Sequence, residues 1–392
     1  LKSTPPQSSA SRSQYLLNLA VVFLFWAGLY LYVPTLPVFV QTRTSDLGLI
    51  GVVVSMYGLW QALLRLPLGI ASDWVGRRKP FILVGLVLVG LGAWIMGNAS
   101  GVGGMIVGRS ITGLAAATWV LLVVVFSSLF PPREAVRSAA ILTLVGSIAR
   151  FLATSLTGFL NDLGGYPLAY NLATGLAALS ILLYMFTRET RRPSKPPSLK
   201  VTGRLVTRQD VLVPALINII FHYVGQATTY GFLPILAKEM GANNVQQSLL
   251  VSSSIGIFAL GNLAATWAAR RFPNRALVLI SLLACSGGLA VAAIAPSLAW
   301  IFLAQFLIGL SGGASYPVLM GMSIEQVDDS QRSTAMGLHQ SVYAIGMFAG
   351  PWLSGMIAAS IGIQPMFGVT AAASLILGLV GLHWLGRKAV SA

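Results

Sequence analysis

The feature that most limits what this chain can fold into is a succession of long apolar blocks. Between their breaks they occupy residues 14–40, 46–72, 79–98, 105–128, 135–160, 166–187, 210–236, 246–270, 275–295, 298–323, 333–359 and 364–386. One hydrocarbon core takes about 20 residues of helix. The blocks therefore predict an all-α integral membrane protein with twelve transmembrane helices and short loops. Composition points the same way: 56% of the 392 residues are apolar and 9% are charged, against roughly 45–50% and about 25% in soluble proteins. A soluble surface needs far more charge than this chain carries.

The formal net charge of +15 raises nucleic-acid binding, but that requires a basic face on a folded domain. Here the basic residues stand in short clusters between apolar blocks: Arg77 to Lys79, Arg133 and Arg137, Arg188 to Arg208, Arg270 to Arg275, and Arg387 with Lys388. With residue 1 placed inside, the loops and tails on that side hold 20 of the 25 Lys and Arg, while the outer loops hold only Arg43 and Lys238. That is the positive-inside distribution. It predicts a lipid-embedded inner-membrane protein with both termini cytoplasmic and no nucleic-acid partner. Residues 1–13 read as a polar cytoplasmic tail and 387–392 as a second one. The apolar run after residue 13 lacks a small-residue cleavage site, so it reads as a first span rather than a secretory signal. The single cysteine, Cys285, excludes an intrachain disulfide framework.

A proline-bearing linker at 188–209, with Pro193, Pro196 and Pro197, separates a six-helix half at 14–187 from another at 210–386. At an offset of 196 residues, Gly113-Leu114 falls on Gly309-Leu310 and Thr154-Ser155 falls on Gly350-Pro351. A shared offset of half the chain indicates a repeat. Parallel six-helix repeats are one architecture of secondary transporters, with the substrate site between the halves near the bilayer midplane.

The loop after the second block reads Gly69-Ile-Ala-Ser-Asp73-Trp-Val-Gly76-Arg77-Arg78-Lys79. It resembles the G-x-x-x-D-x-x-G-R-R signature of the major facilitator superfamily, and with twelve spans and a long middle loop the resemblance covers the whole chain. Tyr32-Val-Pro34-Thr-Leu-Pro37 and a Gly-rich, Tyr-containing second span resemble the drug:proton antiporter branch. Physically, Gly69 and Gly76 permit close approach of helices or backbone, and Asp73 ends span 2 where it can face the positive N-terminus of a neighbouring helix. The resemblance implies that this neighbour is span 11, that the contact latches the outward-facing state, and that Arg77 and Arg78 tie the loop down. The alternative is a basic loop that only fixes topology, for which Asp73 is unnecessary. The matching loop of the second half, Ala269-Arg270-Arg271-Phe-Pro-Asn-Arg275, lacks the Asp, so the latch is one-sided.

Span 4 carries Arg109-Ser-Ile-Thr-Gly113. This resembles the family's R-x-x-Q-G pattern with Thr112 in place of Gln, which implies that Arg109 faces the cavity and serves proton coupling. In span 5, Thr154-Ser155 stands where antiporters of the superfamily carry Gly-Pro, and that pair survives only as Gly350-Pro351. The departure counts against drug antiport.

The ten acidic residues all fall at block ends, whereas three arginines lie within blocks. Arg65 is about 11 Å from the inner end of span 2, Arg150 about 22 Å into span 5, and Arg109 about one turn below the outer end of span 4. An arginine at a helix centre costs roughly 2.5–3.5 kcal/mol on the lenient insertion scale, so such residues generally face a watery cavity. Uncompensated guanidinium groups predict a substrate with an anionic group, Arg150 foremost. Arg65 and Arg109 are close enough to an interface to snorkel or to bond to backbone carbonyls instead. Arg65-Leu-Pro67 also resembles the span 2 arginine that nitrate-type members use for their substrate.

The second half offers neutral groups: Asn218, His222 and Gln226, spaced four apart on one helix face, and a similar pair, His339 and Tyr343. His222 and His339 are either helix-packing groups or proton carriers, being the internal groups that naturally titrate near neutral pH. Tyr30 and Tyr316 are placed near the cavity because spans 1 and 10 line it in the family. The sequence contains no metal-ligand cluster, no P-loop and no supported nucleophile–base arrangement, so neither an enzyme nor a cofactor is expected. The expected function is alternating-access transport of a small organic solute by a monomer, as proton-coupled export of an amphiphilic or anionic compound. An organic-anion exchanger or uptake symporter is the alternative, and a transport-dead sensor or adaptor would not need an intact signature. Replacing Asp73→Asn is expected to shift the equilibrium inward, read as lower accessibility of outer-side cysteine labels; unchanged labelling counts against the latch.

Overall fold

The computed structural model describes residues 12–131, 134–188, 199–328 and 331–387. The two tails beyond these limits and the proline-bearing stretch of the linker lie outside the described residues. The first half opens with α1 (Arg12–Tyr30), a 3-10 turn at Val33–Thr35 and α2 (Leu36–Gln41). Then come α3 (Leu47–Val75), α4 (Lys79–Gly97), α5 (Val102–Ala117) and α6 (Trp119–Ser127). The last helix of this half, α7 (Ala135–Met185), runs for 51 residues, about 75 Å if straight and too long for one crossing. Gly164 and Gly165 leave helical geometry, and Gly165 takes φ 71, a value that only glycine adopts freely. The helix therefore doubles back: Thr157 on one arm bonds to the Leu31 carbonyl, and Ser180 on the other to that of Val21.

The second half comprises α8 (Leu199–Thr207), α9 (Gln209–Ala227), a π-turn at Thr228–Phe232, α10 (Leu233–Glu239), α11 (Asn244–Ala268), α12 (Asn274–Ala293), α13 (Leu298–Ile324), α14 (Arg332–Ile361) and α15 (Ile363–Arg387). The linker is more structured than its prolines suggest. Its helix α8 sets Leu205 into a small apolar cluster with Val211, Val327, Ala335 and Leu338. Taking broken helices as joined, eleven segments among the described residues are long and apolar enough to cross a bilayer, the doubled α7 being one of them. Large apolar side chains such as Phe159, Leu182, Leu263 and Ile376 point outward, as lipid-facing residues must. The chain is a multi-pass integral membrane protein.

The repeat is most legible where the halves meet. Asp46 caps α3 by accepting from the amides of Gly48 and Leu49, and Asn243 caps α11 in a capping box with Gln246. A Cβ on Gly355 would lie 2.8 Å from the Leu47 carbonyl, and one on Gly158 would overlap that of Asn244. Both members of this crossing recur at one offset, since 244 − 47 and 355 − 158 are each 197. Thus α3 packs along α14, and α7 along α11, through the same backbone-on-backbone device.

The contact between α3 and α14 continues inward from that end. A Cβ on Gly51 would overlap the Pro351 carbonyl, and one on Gly58 the backbone of Met347. Continued in this register, Gly69 would face residues 336 and 337, but no atom stands within 4 Å of a Cβ built on Gly69 or on Gly337. The close approach expected at Gly69 is therefore absent in this conformation. Backbone-on-backbone crossings close the bundle at the end bearing Asp46 and Asn243, and none continues at Gly69 or Gly337 toward the end bearing Gly76 and Arg208. Side chains added at such crossings separate helices that associate by backbone proximity. Accordingly, Gly58→Val is expected to lengthen the spin-label distance between positions 45 and 361; an unchanged distance would show that the crossing does not hold this end shut.

Candidate functional site

On α3, Tyr57, Gln61 and Arg65 are spaced four apart and share one face, turned toward the other half. Arg65 donates from Nη1 to the Tyr343 hydroxyl at 3.2 Å and to Gln340 Oε1 at 3.5 Å, and from Nη2 to Gln61. It thereby bridges α3 to α14. Because α3 continues to Val75, Arg65 lies about 15 Å from that helix end, deeper than the sequence predicts.

Arg109 is also deeper than expected. Helix α5 begins at Val102, which puts Arg109 about 10 Å inside rather than one turn. It is 2% exposed. Its guanidinium lies over the Tyr57 ring, 4.3 Å from the centroid, and neither Nε nor Nη1 has a hydrogen-bond partner. Arg150, in α7, is better satisfied: its Nε donates to the Gly146 carbonyl at 3.1 Å and Nη2 to Ser147 Oγ at 3.1 Å. Its guanidinium also lies over Trp26 at 4.7 Å and Tyr30 at 5.7 Å. None of the three arginines pairs with a carboxylate among the described residues.

The second half answers with rings and amides. His222 stacks on Tyr343, with centroids 3.8 Å apart and planes 14° from parallel, and Tyr316 lies 6.1 Å from His222. The Nδ1 of His222 is 3.1 Å from the Asn218 carbonyl oxygen. Gln226 is 8% exposed and joins Leu29, Tyr30, Val33, Tyr57, Arg109 and Tyr230 around a narrow cleft. Tyr30 and Tyr230 meet across it edge to face, 6.0 Å between centroids.

Both of these tyrosines sit where the first crossing of a half is broken. Tyr30 ends α1 before the 3-10 turn holding Pro34, and Tyr230 lies in the π-turn before Pro234. Proline lacks the amide that would continue a helical ladder. Interrupted helices at corresponding positions of two repeats are a mark of a transporter's binding region, and π-turns concentrate at functional sites.

His339 lies behind this group, its ring edge-on to that of Tyr343 with 6.0 Å between centroids. It is fully buried, with Nε2 2.8 Å from Asn218 Nδ2 and Nδ1 2.7 Å from Ser323 Oγ. The Ser323 hydroxyl donates to the Val211 carbonyl at 3.0 Å, so it accepts from the Nδ1–H of His339, while Nε2 accepts from Asn218. A neutral imidazole thus ties α9, α13 and α14 together. In the signature loop, Gly76 ends α3 in the left-handed conformation at φ 65, its amide bonding to Ser72. The Asp73 side chain lies outside the described residues, and Arg77 is exposed. The loop is held by Lys79, whose Nζ donates to the carbonyls of Met185 at 2.8 Å and Thr187 at 2.6 Å at the end of α7.

Tyr57, Gln61, Tyr230, Gln340 and Trp26 are not among the residues the sequence singles out, and Lys79 stands there only as part of the basic cluster. The signal for Tyr57 and Gln61 is the four-residue spacing already used in α9, because 57-61-65 is one helix face; Tyr230 lies in the π-turn, beyond the reach of that spacing. Among the described residues no cluster of His, Cys, Asp and Glu could hold a metal ion. Replacing His339→Leu leaves Asn218 and Ser323 without their partner and is expected to lower stability by about 1 kcal/mol, read as an earlier thermal unfolding transition; an unchanged transition would show that the network contributes nothing.

Residues 19–218 and 215–391 each match the Major Facilitator Superfamily. The class H tetracycline resistance protein of Pasteurella multocida is 25% identical over 357 residues, covering 86% of this chain and 87% of that protein. The crystal structure of a bacterial homologue of the human lysosomal transporter Spinster, inward-facing and occupied, superposes with a TM-score of 0.81 at 14% identity, covering 95% of this chain and 96% of the other. The nucleoside transporter NupG superposes with a TM-score of 0.80 at 16% identity, covering 95% and 99%. With both halves matched, the chain belongs to the major facilitator superfamily, a family of transporters and not of enzymes.

Proposed function

We propose that this protein is a secondary active transporter that exports a small amphiphilic or anionic organic compound by alternating access, coupled to protons. The observation that carries the reading is the meeting of the two broken first crossings, Tyr30 against Tyr230, in a cleft between the halves. Counting the doubled α7 as two crossings gives twelve, six in each half, with both termini on the cytoplasmic side of the inner membrane. The end bearing Gly76 and Arg208, short of which the glycine crossings stop, is then cytoplasmic and the conformation inward-facing. Substrate is contacted by Tyr30, Arg65, Arg109 and Arg150 from the first half and by His222, Gln226 and Tyr316 from the second, with His339 bracing the helices behind them. Gly69, Asp73, Gly76, Arg77 and Arg78 act as a latch for the outward-facing state, and the open space beside Gly69 is consistent with a released latch. Export is supported by the relative named for tetracycline resistance, matched over most of its length.

A second reading, exchange of organic anions by a monomer without proton coupling, is favoured by the charge arrangement. Among the described residues Arg109 lines the cleft, Arg150 lies against its Tyr30, Arg65 bridges the halves at Tyr343, and no carboxylate lines it; His339 is fixed by both ring nitrogens. The purified protein in proteoliposomes, given organic anions or cationic dyes under an imposed pH gradient, tests both. Gradient-driven anion flux that Arg65→Ala reduces at least tenfold is expected. Anion flux indifferent to the gradient but dependent on anions across the membrane would establish exchange instead, and gradient-driven dye flux undiminished in Arg65→Ala would sink the anionic substrate.

A further inference from the structure

We propose that Arg109 anchors a carboxylate carried on a flat aromatic body, bound in the cleft between α3, α5 and the broken first crossings of the two halves. The inference rests on the transporter reading and narrows it, naming one of the three arginines and the kind of group it takes.

The arginines differ in how much of their bonding is met. Arg150 donates to two oxygens of its own helix and lies on two aromatic faces. Arg65 spends both terminal nitrogens on Gln61, Gln340 and Tyr343, leaving only Nε without a partner. Arg109 is 2% exposed, and two of its three nitrogens, Nε and Nη1, have no acceptor. Its ring contact with Tyr57 attracts the cation but accepts none of those in-plane N–H groups. Unmet donors on a buried charge are costly, and the cost is recovered by whatever supplies acceptors with opposite charge. A carboxylate does both, since its two oxygens take guanidinium N–H bonds in a plane.

The remaining walls set the body of the ligand. Tyr30, Tyr57 and Tyr230 present rings, and Gln226 presents an amide that can donate to a carboxylate oxygen. Rings prefer to stack or meet edge-on with other rings, so a flat aromatic acid fits this lining better than an aliphatic one. A cationic amine of the same shape would face Arg109 with no carboxylate to screen it and is rejected. The cleft is pinched by the Tyr30–Tyr230 contact at 6.0 Å. The acid therefore enters as these rings part, and its binding favours a conformation in which the two broken crossings have separated.

The test uses the full chain purified in detergent, with benzoate, benzamide and benzylamine as probes that share a ring and differ in charge. Thermal unfolding and calorimetric titration are expected to show stabilisation by benzoate, at least tenfold weaker binding of benzamide and no binding of benzylamine. Arg109→Gln is expected to weaken benzoate binding at least tenfold. Arg271→Gln, on an exposed loop arginine lying against Trp267, is expected to leave it unchanged. Equal binding of benzamide or benzylamine by the unmodified protein overturns the proposal even if Arg109→Gln fails to fold, as does full benzoate affinity in a folded Arg109→Gln. Gradient-driven flux of organic anions that survives in Arg109→Gln would overturn this assignment alone, whereas absence of any flux from the unmodified protein would overturn the transporter reading beneath it.

Discussion

Backbone lying directly on backbone is the contact from which the rest of this arrangement follows. In lipid, two helices gain little by hiding apolar side chains from each other, because the surrounding chains are equally apolar. What remains is close packing, and it is greatest where glycine removes the side chain. At Gly51, Gly58 and Gly355 the two halves approach until no Cβ would fit, and Gly158 repeats the device on the opposite flank. The register set there continues along α3, so that seven residues below Gly58 the side chain of Arg65 reaches Gln340 and Tyr343. Were the crossing wider, the polar groups of the two halves would not share one cleft.

Three cations inside the bundle of one half pose the same electrostatic problem and receive three answers. Arg150 turns back onto its own helix, where a carbonyl and a hydroxyl accept its protons and two rings cover its faces. Arg65 reaches across to the other half, so its bonds depend on the relation between the halves. Arg109 has the Tyr57 ring on one face and the Tyr32 hydroxyl nearby, and its Nε and Nη1 remain unmet. The first solution is structural, the second couples to motion, and the third leaves bonding capacity for something else. His339 is a neutral counterpart: both nitrogens are engaged and nothing is left to offer.

The sequence revealed the crossings because hydrocarbon thickness writes itself into the length of each apolar block, and most helix ends fall within three residues of the block ends. It revealed the three internal arginines because charge inside an apolar run is conspicuous. It did not rank them. Whether a guanidinium is satisfied depends on rings and carbonyls contributed by other helices, such as Tyr57 to Arg109 and Gly146 to Arg150, and no spacing encodes that. The depths of Arg65 and Arg109 were misjudged because α3 runs on through the signature to Val75 and α5 starts before the apolar block does. The interruption at Thr228–Phe232 left no mark beyond Gly231 and Pro234, which a Gly-rich chain makes easy to overlook.

The two-residue turn at Gly164 and Gly165 has a mechanical consequence. It joins the arms of α7 with almost no slack, so neither arm can slide far without dragging the other. One arm bears Gly158, pressed against α11 at the closed end. The other ends at Met185 and Thr187, where Lys79 grips the carbonyls beside the signature loop. The pair behaves as a stiff hairpin lever spanning the first half. Loosening the α11 crossing at its hinge tip swings the handle at the far side, and the loop after α3 is carried with it.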